Sequence, residues 1–247
     1  MPPDAQSFRK SFLERAQLGE LMDEPASYEQ FRGCLRDLER VNRAVLAYRP
    51  TLRWLSRFSS PEAPATAASP LHILDVGSGG GDMLRRIERW ARARNLPVQL
   101  TGLDLNPHAA RAARESTPAA SRIEWITGDV FAYIPRRRVD LIISSIFTHH
   151  LTDADIVRFL EWMEQTAARG WFINDLWRSR RSWHLFRALA HLMRWHPFVL
   201  HDGPVSIRRS FRPEDWRRYL AAAGLSDDKA QIFPAWPGRL CVARVKS

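Results

Sequence analysis

Over the first sixty residues apolar side chains recur every three or four positions; after residue 70 they gather into short runs. The first pattern belongs to amphipathic helices and the second to buried strands. Phe8, Phe12, Leu13, Leu18, Leu21 and Met22 sit among charges and predict a helix over 7–22 that ends near Pro25. Ser27 suits the cap of a second helix carrying Phe31, Leu35, Leu38, Val41, Val45 and Leu46. A third is expected from Pro50, with Leu52, Trp54, Leu55 and Phe58 inward. Residues 59–70, rich in proline and small side chains, read as a linker.

Beyond it, apolar runs at 71–76, 98–105, 123–126, 140–145 and 171–174 alternate with helical stretches, including one over about 153–168. Strands alternating with helices predict an α/β fold with a mostly parallel sheet covered on both faces. A helix from Pro213 stops before Gly224, with proline and glycine at the ends they favour. Runs at 230–235 and 240–245, split by Trp236-Pro237-Gly238, predict an antiparallel hairpin. The expected organisation is a helical segment over 1–58, the linker 59–70, and one α/β domain over 71–247 with a helical insertion at about 177–209.

Composition narrows the class. The chain has 247 residues, 45% hydrophobic, enough to bury a core. It has no apolar run long enough for a membrane span and no secretory leader pattern. Cys34 and Cys241 lack metal-ligand spacing and suggest no disulfide framework. A cytoplasmic protein is expected, as monomer or homodimer. The net charge of +10 comes almost wholly from arginine, scattered along helices apart from short clusters at 136–138, 178–181 and 208–209. Solvated faces account for that pattern better than a nucleic-acid surface does.

The chemistry starts at Asp75-Val76-Gly77-Ser78-Gly79-Gly80-Gly81-Asp82. A strand enters a glycine-rich turn and a helix follows, so a ligand can approach backbone with no Cβ in its way. The dinucleotide pattern would need glycine or alanine where Asp82 stands, and a pyrophosphate would meet Asp75 and Asp82 with no basic residue in the turn. A cationic ligand without phosphate suits this loop better.

The pattern Asp75 to Gly81 resembles the first motif of the class I S-adenosylmethionine (SAM)-dependent methyltransferases. Gly102-Leu103-Asp104-Leu105-Asn106-Pro107 and Thr127-Gly128-Asp129-Val130-Phe131 resemble the next two, and Val139 to Ser145 resembles the fourth strand. The resemblance implies a Rossmann-like sheet of seven strands, mostly parallel with a C-terminal antiparallel hairpin, plus an N-terminal helical lid. It implies SAM held by Asp75, Gly77, Ser78, Gly79 and Gly81, with Asp104 on the ribose hydroxyls. Leu105, Asp129, Val130 and Ser144 complete the expected cofactor set. Looser similarity along 20–43, 174–176 and 202–209 points to bacterial methyltransferases of polyketide, phenolic and quinone-like products.

The expected function is methyl transfer to a small aromatic or polyketide-like acceptor at a hydroxyl. C-methylation of a quinone-type precursor and a non-catalytic SAM-binding partner remain alternatives. An amino-methylating enzyme of nucleic acid is disfavoured, because Ser144-Ser145-Ile146-Phe147 stands where such enzymes carry Asn/Asp-Pro-Pro-aromatic. His149 and His150, just after the fourth strand, are candidate bases for a hydroxyl acceptor or else structural. Asp175 can hold a histidine, bind substrate or cap a helix. His184, His191, His196 and His201 are spaced by 7, 5 and 5, which gives no helix-face metal pair, so no metal is expected.

Overall fold

The computed structural model describes residues 12–20, 27–59, 65–66, 68–192, 197–225 and 228–246. Seven strands form one sheet: β1 (Leu71–Val76), β2 (Val98–Asp104), β3 (Glu124–Thr127), β4 (Val139–Ser145), β5 (Ala167–Leu176), β6 (Ala230–Ala235) and β7 (Arg239–Val245). Their order is β3-β2-β1-β4-β5-β7-β6. The first five run parallel, and β7 lies antiparallel between β5 and β6.

Helices cover both faces, so the central strands are apolar on both sides. Every residue of β1 is buried. Leu74, Val76, Ile142 and Ile173 pack on one face with Phe159, Leu160 and Trp216. Ile73, Ile143 and Phe172 pack on the other with Trp54, Leu84 and Ile87. The covering helices are α1 (Tyr28–Ala44), α2 (Arg49–Leu55), α3 (Asp82–Arg92), α4 (Pro107–Ser116), α5 (Asp153–Thr166), α6 (Arg180–Leu192), α7 (Pro197–Arg209) and α8 (Pro213–Ala222). Among the described residues none of the helices is long and apolar enough to cross a membrane.

The expected helix over 7–22 does not form where it is described: residues 12–20 run as turn and irregular chain. The rest of that span lies outside the described residues. Its backbone groups bond to other elements instead of to a helical ladder. Arg178 donates to the carbonyls of Phe12 (3.1 Å) and Leu13 (2.9 Å), and the Ala16 N–H donates to the Arg208 carbonyl (3.0 Å). The α1 helix begins as expected, with Ser27 and Gln30 capping each other reciprocally. The α2 helix belongs to the core: Trp54 stacks on Phe172 at 5.2 Å, and Asn174 donates to the Ala47 carbonyl (2.9 Å) and to Thr51 (3.2 Å). Half of the expected 59–70 linker, residues 60–64 and 67, lies outside the described residues. Strand β5 starts at Ala167, earlier than its apolar run, directly where α5 ends.

Connections from β1 and β4 leave in opposite senses across the sheet, so a crevice opens beyond their carboxyl ends. The glycine turn lines it. Gly77 and Gly81 have φ of +70° and +75°; a Cβ on Gly77 would stand 2.5 Å from the Phe147 ring, and one on Gly81 would collide with Trp125. Both positions therefore need glycine for conformation and for space.

Candidate active site

A cavity of about 490 Å³ fills this crevice, a size typical of small-molecule sites. Its floor is the glycine turn and the ends of β4 and β5. Leu35, Leu38 and Val41 of α1 form one wall, and Leu185, Phe186 and Val199 of the 177–209 insertion form another. Trp236, 77% exposed, stands at its edge.

The cofactor residues expected from sequence are unevenly distributed. Asp75, Gly77, Ser78 and Gly79 line the cavity. The Asp75 carboxyl is buried and one of its oxygens lacks a hydrogen-bond partner. Burial, and then the neighbouring Asp82 and Asp104, raise its pKa well above the usual carboxylate range. The two Asp104 oxygens accept backbone N–H bonds from Gly79 (2.8 Å) and Asn106 (2.9 Å). Leu105 beside it is 72% exposed, an apolar face turned to solvent. Asp129 is exposed and accepts from the Phe131 N–H (2.9 Å) as a turn residue, while Val130 is buried in the core. Ser144 is turned into the sheet, its hydroxyl donating to the Val76 carbonyl (3.0 Å); Ser145 lines the cavity in its place.

The histidine turn, Thr148–His150, is set by strain and by Asp175. Ile146 has φ +52°, a conformation rare for a β-branched residue, and its N–H donates to the Asn174 carbonyl (3.1 Å). Asp175 is fully buried and gathers four donors. Thr148 Oγ1 (2.5 Å) and the His149 N–H (3.2 Å) reach one oxygen; His149 Nδ1 (2.8 Å) and the Leu176 N–H (2.7 Å) reach the other. Burial is the largest influence on Asp175 and pushes its pKa up, but His149 and these donors outweigh it and hold it well below the usual range. Nδ1 faces a carboxylate, so the neutral imidazole carries its proton there and leaves the Nε2 lone pair as the acceptor. His149 is buried, lines the cavity, and its Nε2 makes no hydrogen bond.

Two side chains were missed by sequence reasoning. Glu20, at the end of the irregular 12–20 segment, is buried in the cavity wall. Its oxygens lie 3.7 Å from His149 Nε2, 4.0 Å from His150 Nε2 and 3.4 Å from Arg209 Nη1. No local motif marks it, because its placement depends on the strap around it. Glu20, His149 and His150 bring metal-ligating atoms within 4.8 Å of one another, a grouping that histidine spacing did not anticipate. Arg239, at the start of β7, is the second. It is buried in the cavity wall with Nη1 unpartnered, and burial lowers its pKa. Cys34 also lines the cavity; Cys34 and Cys241 are both buried thiols, each pushed up to about 12 by burial.

Residues 73–170 match the family model described as a methyltransferase domain. Trans-aconitate 2-methyltransferase of Azoarcus sp. (strain BH72) is 32% identical over 82 residues, 33% of this chain. The matched segment spans 29% of that relative's length. Solved structures extend the likeness in fold. Magnesium protoporphyrin IX methyltransferase from Synechocystis PCC 6803, with bound S-adenosylhomocysteine (SAH), aligns with a TM-score of 0.56 at 15% identity, over 97% of this chain and 93% of its own. Human N-acetylserotonin methyltransferase in complex with SAM gives 0.59 at 17%, over 90% of this chain and 57% of its own. The family match covers residues 73–170, which hold the glycine turn and strands β2, β3 and β4, and the solved methyltransferases share the fold.

Proposed function

We propose that this protein transfers a methyl group from SAM to a hydroxyl of a small, largely apolar aromatic or polyketide-like acceptor. The observation that carries the reading is the joint presence, in one cavity, of the glycine turn held by Asp104 and a buried histidine whose Nε2 lone pair is presented by Asp175.

The residues fit SAM by their unmet needs. The unpartnered Asp75 oxygen suits the α-ammonium, and the unpartnered Arg239 Nη1 suits the α-carboxylate. Asp104 retains lone pairs beyond its two backbone bonds, and these suit the ribose hydroxyls. Leu105 offers its exposed apolar face to the adenine; Gly79 leaves the approach open. Val130, Asp129 and Ser144 then act through the shape of their loops, since their polar groups are used or buried. Bound SAM would supply an electrophilic methyl on a sulfonium, and the residues above would hold its two ends so that the methyl faces the acceptor hydroxyl beside His149.

The rest is done by the chain. His149 Nε2 takes the acceptor's proton, and Asp175, anionic throughout the neutral range, stabilises the imidazolium. His150, its ring 4.3 Å from that of His149 and tilted 35° to it, borders the same space. The α1 helix and the insertion give the acceptor an apolar enclosure and keep water from the reacting atoms. Their role as a lid belongs to this proposal, as do the boundaries 1–58, 59–70 and 71–247.

One consequence is a proton signature. A carboxyl with a raised folded pKa contributes stability that is full below the unfolded value, near 3.9, and lost as pH rises through the folded one. An ammonium beside Asp75 favours the carboxylate and reverses that loss. SAM binding is therefore expected to release protons in the pH range where the buried Asp75 carboxyl is still protonated. Titration calorimetry in two buffers of different ionisation enthalpy measures it, and Asp75→Asn should abolish the release. The function itself is tested with labelled SAM and a panel of phenols, quinols and lipid-like polyketides, following mass gain. Methylation confined to carbon or nitrogen would refute the hydroxyl reading.

A further inference from the structure

We infer that a row of arginines leading away from the cavity mouth binds the phosphate groups of a long arm on which the acceptor is carried. The hydroxyl reading above is needed only for what the arm carries; the arginine row stands apart from it.

The row begins where the cavity ends. Tyr48 lines the cavity, and Arg49 beside it lines a second groove with Arg53, Arg57, Arg217, Phe233 and Trp236. Trp236 borders both spaces. The α2 helix descends along β5 from its carboxyl end: Asn174 donates to Thr51 (3.2 Å), Trp54 stacks on Phe172, and Arg169 lies over the Phe58 ring at 5.2 Å. Four helical residues advance about 6 Å, so Arg53 and Arg57 stand about 6 and 12 Å beyond Arg49.

The charge pattern there differs from that of other helices. Exposed arginines on α1, α3, α4 and α5 face an acid three or four positions away: Arg40–Asp37, Arg92–Glu88, Arg111–Glu115 and Arg158–Asp155. On α2 and the turn after it, the same spacing sets arginine against arginine, which destabilises a helix. Arg49, Arg53 and Arg57 are exposed, and among the described residues none of the three forms an ion pair. Arg217, from α8, reaches Glu214 at only 3.9 Å, and no carboxylate lines the groove.

Phosphate suits this surface. Guanidinium forks hold its oxygens bidentately, and anions along one arm offset the repulsion between the arginines. An acidic strand adding to β6 fits less well, because Pro234 removes a backbone donor from that edge strand. Trp236 gives the uncharged part of the arm an apolar surface between groove and cavity.

The test uses two thioesters of 4-hydroxybenzoate on the same arm: the pantetheine form, and the coenzyme A form, which adds phosphates and adenosine. In turnover with SAM, kcat/KM should favour the coenzyme A form by about tenfold or more. Arg53→Glu can pair with Arg49 and Arg57 and so keeps the helix; it should cut the preference to about twofold or less. Arg137→Glu, in an exposed cluster outside the groove, should keep the preference. A folding defect alone would weaken both substrates and leave their ratio intact. A wild-type ratio near one, or an unchanged ratio in Arg53→Glu, overturns the inference. Calorimetry with coenzyme A on the SAH-loaded protein reads the groove without chemistry, and Arg53→Glu should weaken that binding by about tenfold. If neither thioester is methylated while this Arg53-dependent binding persists, the hydroxyl reading fails and the arginine row stands. No binding to the SAH-loaded protein overturns the inference, as does displacement of SAH by coenzyme A. An RNA oligonucleotide held more tightly by the same arginines also overturns it, in favour of a nucleic-acid surface.

Discussion

Replacing His149 by alanine is expected to lower turnover by about 10²–10⁴-fold while SAM affinity stays within about threefold. The imidazole is the group in the cavity wall that combines burial, an unpartnered Nε2 and a fixed tautomer. A wholly structural histidine would give the opposite result, loss of folded protein with little change in turnover per folded molecule. Asp175→Asn separates the roles further. The amide can donate to Nδ1, which favours the tautomer with the proton on Nε2 and removes the base without removing the ring. Asp175→Ala should cost stability as well, about 3–5 kcal/mol, because a buried pair loses one partner. The contribution of Asp175 to stability is present above the unfolded carboxylate pKa, near 3.9, and is lost as pH falls through its lower folded value. Asp175 therefore stays anionic across the neutral range and contributes no limb to the pH–rate profile there. Thermal melts alongside initial rates with saturating SAM check all three variants.

The second large effect is expected at Asp104. Asp104→Asn should weaken SAM binding by about a hundredfold, near 3 kcal/mol, because two charge-assisted hydrogen bonds to the ribose become neutral or fail. The same carboxylate ties β2 to the glycine turn through the Gly79 N–H and to its own loop through the Asn106 N–H. Asparagine keeps one acceptor oxygen, so the turn should persist, with a melting temperature a few degrees lower in the unliganded protein. Calorimetry with SAM, and with SAH to isolate the sulfonium, measures the loss. Equal affinity in both variants would move the ribose away from Asp104.

The sheet was legible because its strands announce themselves locally. Leu71–Val76 is a continuous apolar run ended by glycine, and Gly81 cannot be replaced without meeting Trp125. The cavity-bearing loops followed from that sheet, since carboxyl ends of parallel strands must open on one side. What sequence did not reveal is set by tertiary contact. The strap at 12–20 carries the apolar spacing of a helix, yet its backbone is used by Arg178 and Arg208. Arg178, from a cluster read as solvated, is 2% exposed and pairs with Asp215 at 2.8 Å. Glu20 and Arg239 sit about 55 residues before and 160 residues after the glycine turn and share no motif with it. Ser144 and Ser145 differ only in which face of β4 they occupy, and one residue of register decides which hydroxyl reaches the cavity. Asp175 was open to three roles by sequence; its place beside His149 Nδ1 selects the first.

In the proposed reaction one crevice holds a nucleoside by Asp104 and an amino-acid end by Asp75 and Arg239. A crystal structure of the protein grown with SAH tests it most directly. The ribose hydroxyls are expected on Asp104, the ammonium at Asp75 and the carboxylate at Arg239, with the sulfur facing His149. Density absent from the crevice, or a ligand lying with its sugar away from Asp104, would contradict it.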